Sequence, residues 1–462
     1  LTRPDPFTGR SVLSDLVLSL GDDGMWIELD YYDSQGVAEG DVRLGLQAAI
    51  DVLKASLGAD NIQYTDLFAT SSAAGGLKMS VHGLVYDMTV RAAQAAALVA
   101  AQAMVRQQMD PLGSQVTAGH MRDSDLDALK RLHPNLILLA GGTDYGERET
   151  ALYNARAIAA LGLRDIPVLY AGNVQNQQEV KGIMEAAGLE VVLCENVYPR
   201  LDDLNIEPAR RHIQTLFEKH IVKAPGMRHV YDMVTQPLMP TPGAVMEMTR
   251  LMHEPYGSLA VIDIGGATTD VHSACEESEE IARIQTRPEP LYLRTVEGDL
   301  GLYINAAHLV SALGAEKLDR ELDIDTAALM ADWQPIPGTP QKEKLAERLA
   351  LEAGLTALRR HAGSIRSVFL PGGRQQIAEG KDLTQLACLV ATGGALTRLP
   401  GRQHTMEQLR DMNTQRKWLY PKPGEARLLT DNHYIMASLG VLSRKYPEAA
   451  LALMRQSFDA KD

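Results

Sequence analysis

The stretch LAVIDIGGATTDVHS, Leu259 to Ser273, limits the fold more than any other part of the chain. Its first six residues are apolar apart from Asp263, which suits a strand covered on both faces rather than one with a wet side. Two glycines then remove side chains where another body must approach the backbone closely. Threonines and carboxylates follow at once, so the strand ends in a polar, acidic tip. A phosphate chain carrying its own magnesium ion suits that mixture. N–H groups and hydroxyls take phosphate oxygens, and carboxylates hold the metal's water shell.

Composition narrows the partners. A chain of 462 residues has material for about three domains. Its formal net charge of -14 argues against broad attraction to nucleic acid or to an anionic membrane, since both need clustered Lys and Arg. Cys194, Cys275 and Cys388 are far apart and lack paired spacing, so neither a disulfide framework nor a zinc site is expected, and a cytoplasmic location follows. The most apolar run, Ala92 to Val105, is too short to span a bilayer and reads as a buried helix.

The first forty residues predict a hairpin, SDLVLSLG and GMWIELDYY joined at Gly21–Gly24, and DVRLGLQAAIDVLKASLG predicts a helix ending at Gly58. From Asp123 to Pro199 the pattern becomes regular strand-helix alternation. NLILLAGG, IPVLYAGN and LEVVLCEN are short apolar strands separated by amphipathic helices, the signature of a parallel α/β unit. Its strand ends, Gly141–Asp144 and Ala171–Asn173, lie where ligand-facing loops occur in such sheets, although tight turns explain the same glycines. Pro237 to Val245 reads as a loop interrupting a helical region.

LVATGGALTRLP, Leu389 to Pro400, repeats the logic of the opening motif: apolar strand, paired Gly393 and Gly394, then a small-residue helix start. Such a turn lets a flat ring or phosphate lie against bare backbone, with positive potential from the helix N-terminus. DIGGATTD resembles the second phosphate motif of the actin, sugar-kinase and heat-shock ATPase superfamily, and TGGALTRLP resembles its adenosine motif. Together with SSAAGGLKMSVHGLV (Ser71–Val85), LLAGGTDYG (Leu138–Gly146), MPTPGAV (Met239–Val245) and RTVEGDLG (Arg294–Gly301), the chain resembles the glutamate-mutase-associated MutL family, unrelated to the DNA mismatch-repair protein of similar name.

The resemblance implies an α/β protein with an actin-like (ribonuclease-H-like) two-lobed ATPase fold and an inserted parallel α/β domain. The implied organisation is an N-terminal lobe over 1–122, the insert over 123–200, a helical connection over 201–256 and a C-terminal lobe over 257–462. The implied activity is ATP-dependent reactivation of an adenosylcobalamin-dependent mutase by helping damaged cobalamin leave. Carried onto this chain, Asp263 would hold magnesium and its water, with Asp270 as a second metal-side carboxylate. Gly265, Gly266, Thr268 and Thr269 would contact phosphates of ATP. Gly393, Gly394 and Ala395 would pack on the adenosine, and Glu297 and Asp299 would orient a water or support the metal, unless they cap a helix.

The chain departs from the family at its start. Members open with Asp-x-Gly-Ser-Thr-x-Thr-Lys, whereas Thr8–Asp15 would fall there with Arg10 replacing Gly and Asp15 replacing Lys. Either the missing strand lies upstream of Leu1, or the protein is a degenerate, non-catalytic scaffold or assembly subunit of an enzyme complex. Both readings stand at the level of sequence, as does self-association. A metabolite kinase would need a carboxylate base that no stretch identifies. GGTD and AGN do not match a dinucleotide fingerprint.

Overall fold

The computed structural model describes residues 116–200 and 227–460 except 286–288 and 371–372, together with 12–19, 25–32, 65–71, 79–84 and scattered positions within 47–54 and 205–216. The helix expected over Ala92–Val105, most of that over Asp41–Gly58, and positions 8–11 of the degenerate phosphate segment lie outside these residues. Strands β1 (Val12–Ser19) and β2 (Met25–Tyr32) pair antiparallel from Val12↔Tyr32 to Ser19↔Met25, the hairpin that the glycine turn predicts. The chain divides into two compact units, Ser71–Arg228 and the combination of Leu1–Thr70 with His229–Asp462.

The unit Ser71–Arg228 is built on five parallel strands. They are β3 (Met79–Gly83), β4 (Val116–Ala118), β5 (Leu136–Leu139), β6 (Val168–Tyr170) and β7 (Val191–Leu193), in spatial order β4-β3-β5-β6-β7. Helices α1 (Asp123–Leu132), α2 (Glu149–Ala159) and α3 (Gln177–Ala186) connect them. In α1, acidic Asp123 and Asp125 begin the helix and Lys130 and Arg131 end it, matching its dipole, and His133 closes it in the left-handed region. Leu129, Leu152, Ile158, Val180 and Met184 from the helices bury themselves against Ile137, Leu139 and Val168. The boundary expected at 122/123 moves: β3 and β4, assigned from sequence to the N-terminal lobe, belong to this sheet. The polar groups at its strand ends join loops to one another. Asp144 accepts from Val174 N and Asn196 Nδ2, both at 2.9 Å, and Asn173 accepts from Tyr145 N at 3.2 Å.

The other unit contains helix α4 (Thr241–Tyr256), strands β8 (Leu259–Ile264), β9 (Thr269–Ala274) and β10 (Tyr292–Glu297), and the long helix α5 (Pro340–His361). A hairpin follows, β11 (Ser364–Leu370) with β12 (Gly373–Glu379). Then come β13 (Cys388–Thr392), the short helix α6 (Gly394–Arg398), β14 (Arg427–Thr430), α7 (Met436–Leu442) and α8 (Pro447–Asp459). The five-stranded sheet runs β10-β9-β8-β13-β14, an antiparallel meander extended by two parallel strands. This is the strand order of a ribonuclease-H-like lobe. The apolar run of β8 is explained by helices on both faces. Val245, Met248 and Met252 of α4, with Met436 and Leu453, cover Leu259, Val261 and Val390. Leu345, Leu349 and Leu358 of α5 cover Ile262, Val271 and Leu389.

The loop expected over Pro237–Val245 is shorter than the sequence suggests, because α4 begins at Thr241 with Pro242 in its first turn. A proline there removes an N–H that has no intrahelical partner anyway, so it starts a helix rather than breaking one. Where α4 meets α7, Gly440 lies against the backbone of Ala244. Asp66 ties the early chain to the late chain: it accepts from Lys445 Nζ at 2.7 Å and Tyr446 OH at 2.6 Å. Among the described residues no helix is long and apolar enough to cross a membrane.

Candidate functional site

Antiparallel pairing sets Asp263 of β8 opposite Asp270 of β9, and cross-strand partners point to one face, so two carboxylates meet at the hairpin tip. Thr392, the last residue of β13, is the parallel partner of Asp263, and its hydroxyl donates to Asp431 just past β14 at 3.0 Å. Asp270, Asp263, Thr392 and Asp431 thus form a row across four adjacent strands. Burial, and then the negative charge of Asp431, raise the Asp263 carboxyl to about 6. Asp270 is pushed to about 8 by burial and by Asp263, against the opposing pull of Arg294 and of Thr268, whose hydroxyl donates to Asp270 Oδ2 at 3.0 Å. Its Oδ1 is buried without a hydrogen-bond partner.

Asp431 went unnoticed in the sequence. It accepts from Ile435 N (3.2 Å), Met436 N (2.9 Å) and Ser457 Oγ (2.7 Å), so it caps α7 and acts on Asp263 through its field. The only local signal was an Asp directly after a short apolar strand.

The loop Gly265–Thr268 is fastened from behind. Gly265 N donates to Thr268 O (2.9 Å), Leu302 N to Gly265 O (3.1 Å), and Tyr303 N and Ile304 N to Gly266 O (2.8 and 2.9 Å). Among the described residues, the N–H groups of Gly266 and Ala267 donate to no acceptor. Thr269 is buried and its hydroxyl donates to Leu300 O at 2.8 Å, and that of Thr268 to Asp270, so neither proton is free for a phosphate. The fastened loop needs Gly301, where a Cβ would overlap the Ala267 backbone.

Gly393 has φ +83, and a Cβ there would lie 2.6 Å from Ile264 N and would overlap Asp263 Oδ1. The turn after β13 and the hairpin tip therefore touch through bare backbone, whereas Gly394 has open space where a side chain would be and Ala395 is packed inward. The helix that follows Gly393 is only five residues long, so the positive helix terminus expected from sequence is slight.

Glu297 and Asp299 lie at the same end of the sheet as the tip, and the charge of Glu297 adds to the rise of Asp270. Glu297 pairs with Thr269, one step from Asp270, and so faces the opposite side of the sheet. Arg360 donates to Glu297 and, with both Nη atoms, to Asp299 at 2.8 and 2.9 Å. Neither residue caps the next helix, Ala306–Leu313, whose N-cap is Asn305. Arg360→Ala would remove a shared cation from two carboxylates. Because the arginine side chain is 41% exposed, water offsets part of the loss, and the expected cost is about 1–2 kcal/mol by urea denaturation.

No group of three or more His, Cys, Asp or Glu side chains able to hold a metal occurs among the described residues. The Asp263–Asp270 pair, hard oxygens with one atom unpartnered, suits a magnesium ion that keeps most of its waters and shares phosphate oxygens. Without a cation the pair is a stability cost with a definite pH window. Each carboxyl holds its proton more tightly folded than unfolded, so its stabilising effect is full below about pH 4 and is lost as pH rises, through about 6 for Asp263 and about 8 for Asp270. Buried His82, His272 and His361, whose affinities for a proton are lowered by burial, work in the opposite direction below neutral pH. The clean observable is therefore a difference. In EDTA, Asp270→Asn is expected to match wild type near pH 4 and to gain on it up to pH 8. A flat difference would show that the carboxyl is not strained.

The sequence profile of the MutL protein family matches residues 33–458. The chain belongs to the MutL family. The curated relative Protein MutL of Clostridium tetanomorphum is 35% identical over 435 residues, covering 90% of this chain and 91% of the relative. Among solved structures, nucleotide-free acetone carboxylase aligns with 94% of this MutL-family chain and 69% of its own, at 12% identity and a TM-score of 0.40. An archaeal actin homologue aligns over 64% and 74%, at 12% identity and a TM-score of 0.22. Superpositions this loose leave the fold to be read from the strand order itself.

Proposed function

We propose that this chain is an ATP-dependent partner of an adenosylcobalamin-dependent mutase that helps damaged cobalamin leave, with the nucleotide held at the β8–β9 tip. The observation that supports the nucleotide part is the loop Gly265–Thr268, whose carbonyls are tied back while the N–H groups of Gly266 and Ala267 have no acceptor. Those two groups would take phosphate oxygens. Asp263 would hold the metal's water, Asp270 would accept or release a proton beside it, and Gly394 would leave room for the adenosine while Gly393 lets the turn close on the tip. Magnesium would neutralise charge on the phosphates. The mutase part rests on family membership alone.

The test is release of cobalamin from a mutase loaded with an inactive cobalamin, followed by absorbance. Release should accelerate with magnesium-ATP and the wild-type chain. Equal release with and without ATP would count against this reading and leave a scaffold. Within the unit Ser71–Arg228, Tyr145 is 78% exposed on a loop anchored by Asn173, and Tyr145→Ala is expected to weaken capture of the mutase at least about tenfold. Unchanged capture would place the contact elsewhere.

A further inference from the structure

The C-terminal end of α5 and the loop that leads to Trp418 border an open cavity of about 400 Å³. Its lining includes Arg359, Met412, Asn413, Lys417 and Trp418, none of which belongs to the β8–β9 tip or the Gly393 turn. The loop is held shut by one buried side chain. Asn413 accepts from Trp418 N (3.1 Å) and donates to Trp418 O (2.9 Å) and Tyr420 O (2.7 Å). That clasp fixes Trp418, which packs partly against the core under α5, and Ser364 of β11 bridges to it. The Lys417 ammonium stands 5.2 Å from the centre of the indole.

The charges are the informative part. Arg360 is spent on Glu297 and Asp299, but among the described residues neither Arg359 nor Lys417 has a carboxylate partner. Both are exposed to solvent. A helix C-terminus favours a cation such as Arg359, but that does not account for Lys417 or for an indole beside it. Cations next to an aromatic face, around a cavity of small-molecule size, match an anion carried on a flat ring.

We propose that this cavity binds a small molecule with one carboxylate or phosphate group, met by Arg359 and Lys417, and a planar ring laid on Trp418. The proposal stands or falls independently of the nucleotide cleft. The full chain carrying Asp263→Asn, which silences the cleft, is titrated calorimetrically in EDTA with AMP, benzoate, inorganic phosphate and adenosine. The same titrations are repeated with Arg359→Ala and Lys417→Ala added. Both residues are exposed, so the variants should keep the wild-type circular dichroism. Saturable binding of AMP identifies a phosphate ligand and of benzoate a carboxylate ligand. Either should weaken at least about tenfold in the added variants, with phosphate and adenosine alone binding more weakly than AMP. Absence of saturation by both AMP and benzoate, or equal binding to the variants, overturns the proposal.

Discussion

Replacing Gly440 with alanine should destabilise the protein by about 3 kcal/mol, read as a lower urea midpoint with an unchanged slope. The sign is the informative point. Gly440 lies inside α7, and in an exposed helix an alanine would be worth about 1 kcal/mol more than glycine. Here a Cβ would overlap the Ala244 carbonyl oxygen and lie 2.5 Å from its carbon, so the contact is helix backbone on helix backbone. No rotamer change can relieve it. Either α4 and α7 move apart, opening the core of Met248, Met252, Met436 and Leu439, or the helices distort. A raised midpoint would mean that the two helices cross more loosely than the structure shows.

Asp263→Asn should give two effects of opposite sign. In EDTA at pH 7.5 the variant should be more stable than wild type by about 1–3 kcal/mol, because it removes a carboxylate that burial and Asp431 hold in an unfavourable charged form. Its affinity for magnesium-ATP should fall at least about tenfold, a loss of about 1.4 kcal/mol, measured by isothermal titration. A site that stores strain for a ligand shows this pairing, since the ligand turns the repulsion into attraction. Lost stability together with unchanged affinity would make Asp263 a structural residue.

How far such residues could be read from sequence depended on how local their partners are. The strand and turn that carry Asp263 were legible because strand, bare turn and carboxylate are consecutive, and Gly393 repeated the same grammar. The ion pairs of Arg360 were not, because a turn on one strand meets the far end of a helix more than sixty residues later. Glu297 and Asp299 therefore looked free for chemistry. Strand β3 was legible only as part of a motif and not as a strand, because MSVHG places Ser80 and His82 in a buried strand, where apolar residues are the usual signal. Prolines near Thr241 suggested a loop, although the first turn of a helix is where proline fits best. Met248 and Met252, four apart on α4, are fully buried, as their helical spacing requires.

The clasp at Asp66 has a bearing on the order in which the chain acquires its structure. Ser71–Arg228 is one continuous segment in which short helical segments link β5 to β6 and β6 to β7, so those contacts close over short distances as the chain leaves the ribosome. Asp66 must instead wait for Lys445, 379 positions later. That lock can form only after the chain has been made through Lys445. Truncations that remove Lys445 and Tyr446 should therefore release the segment around Asp66, far away in sequence.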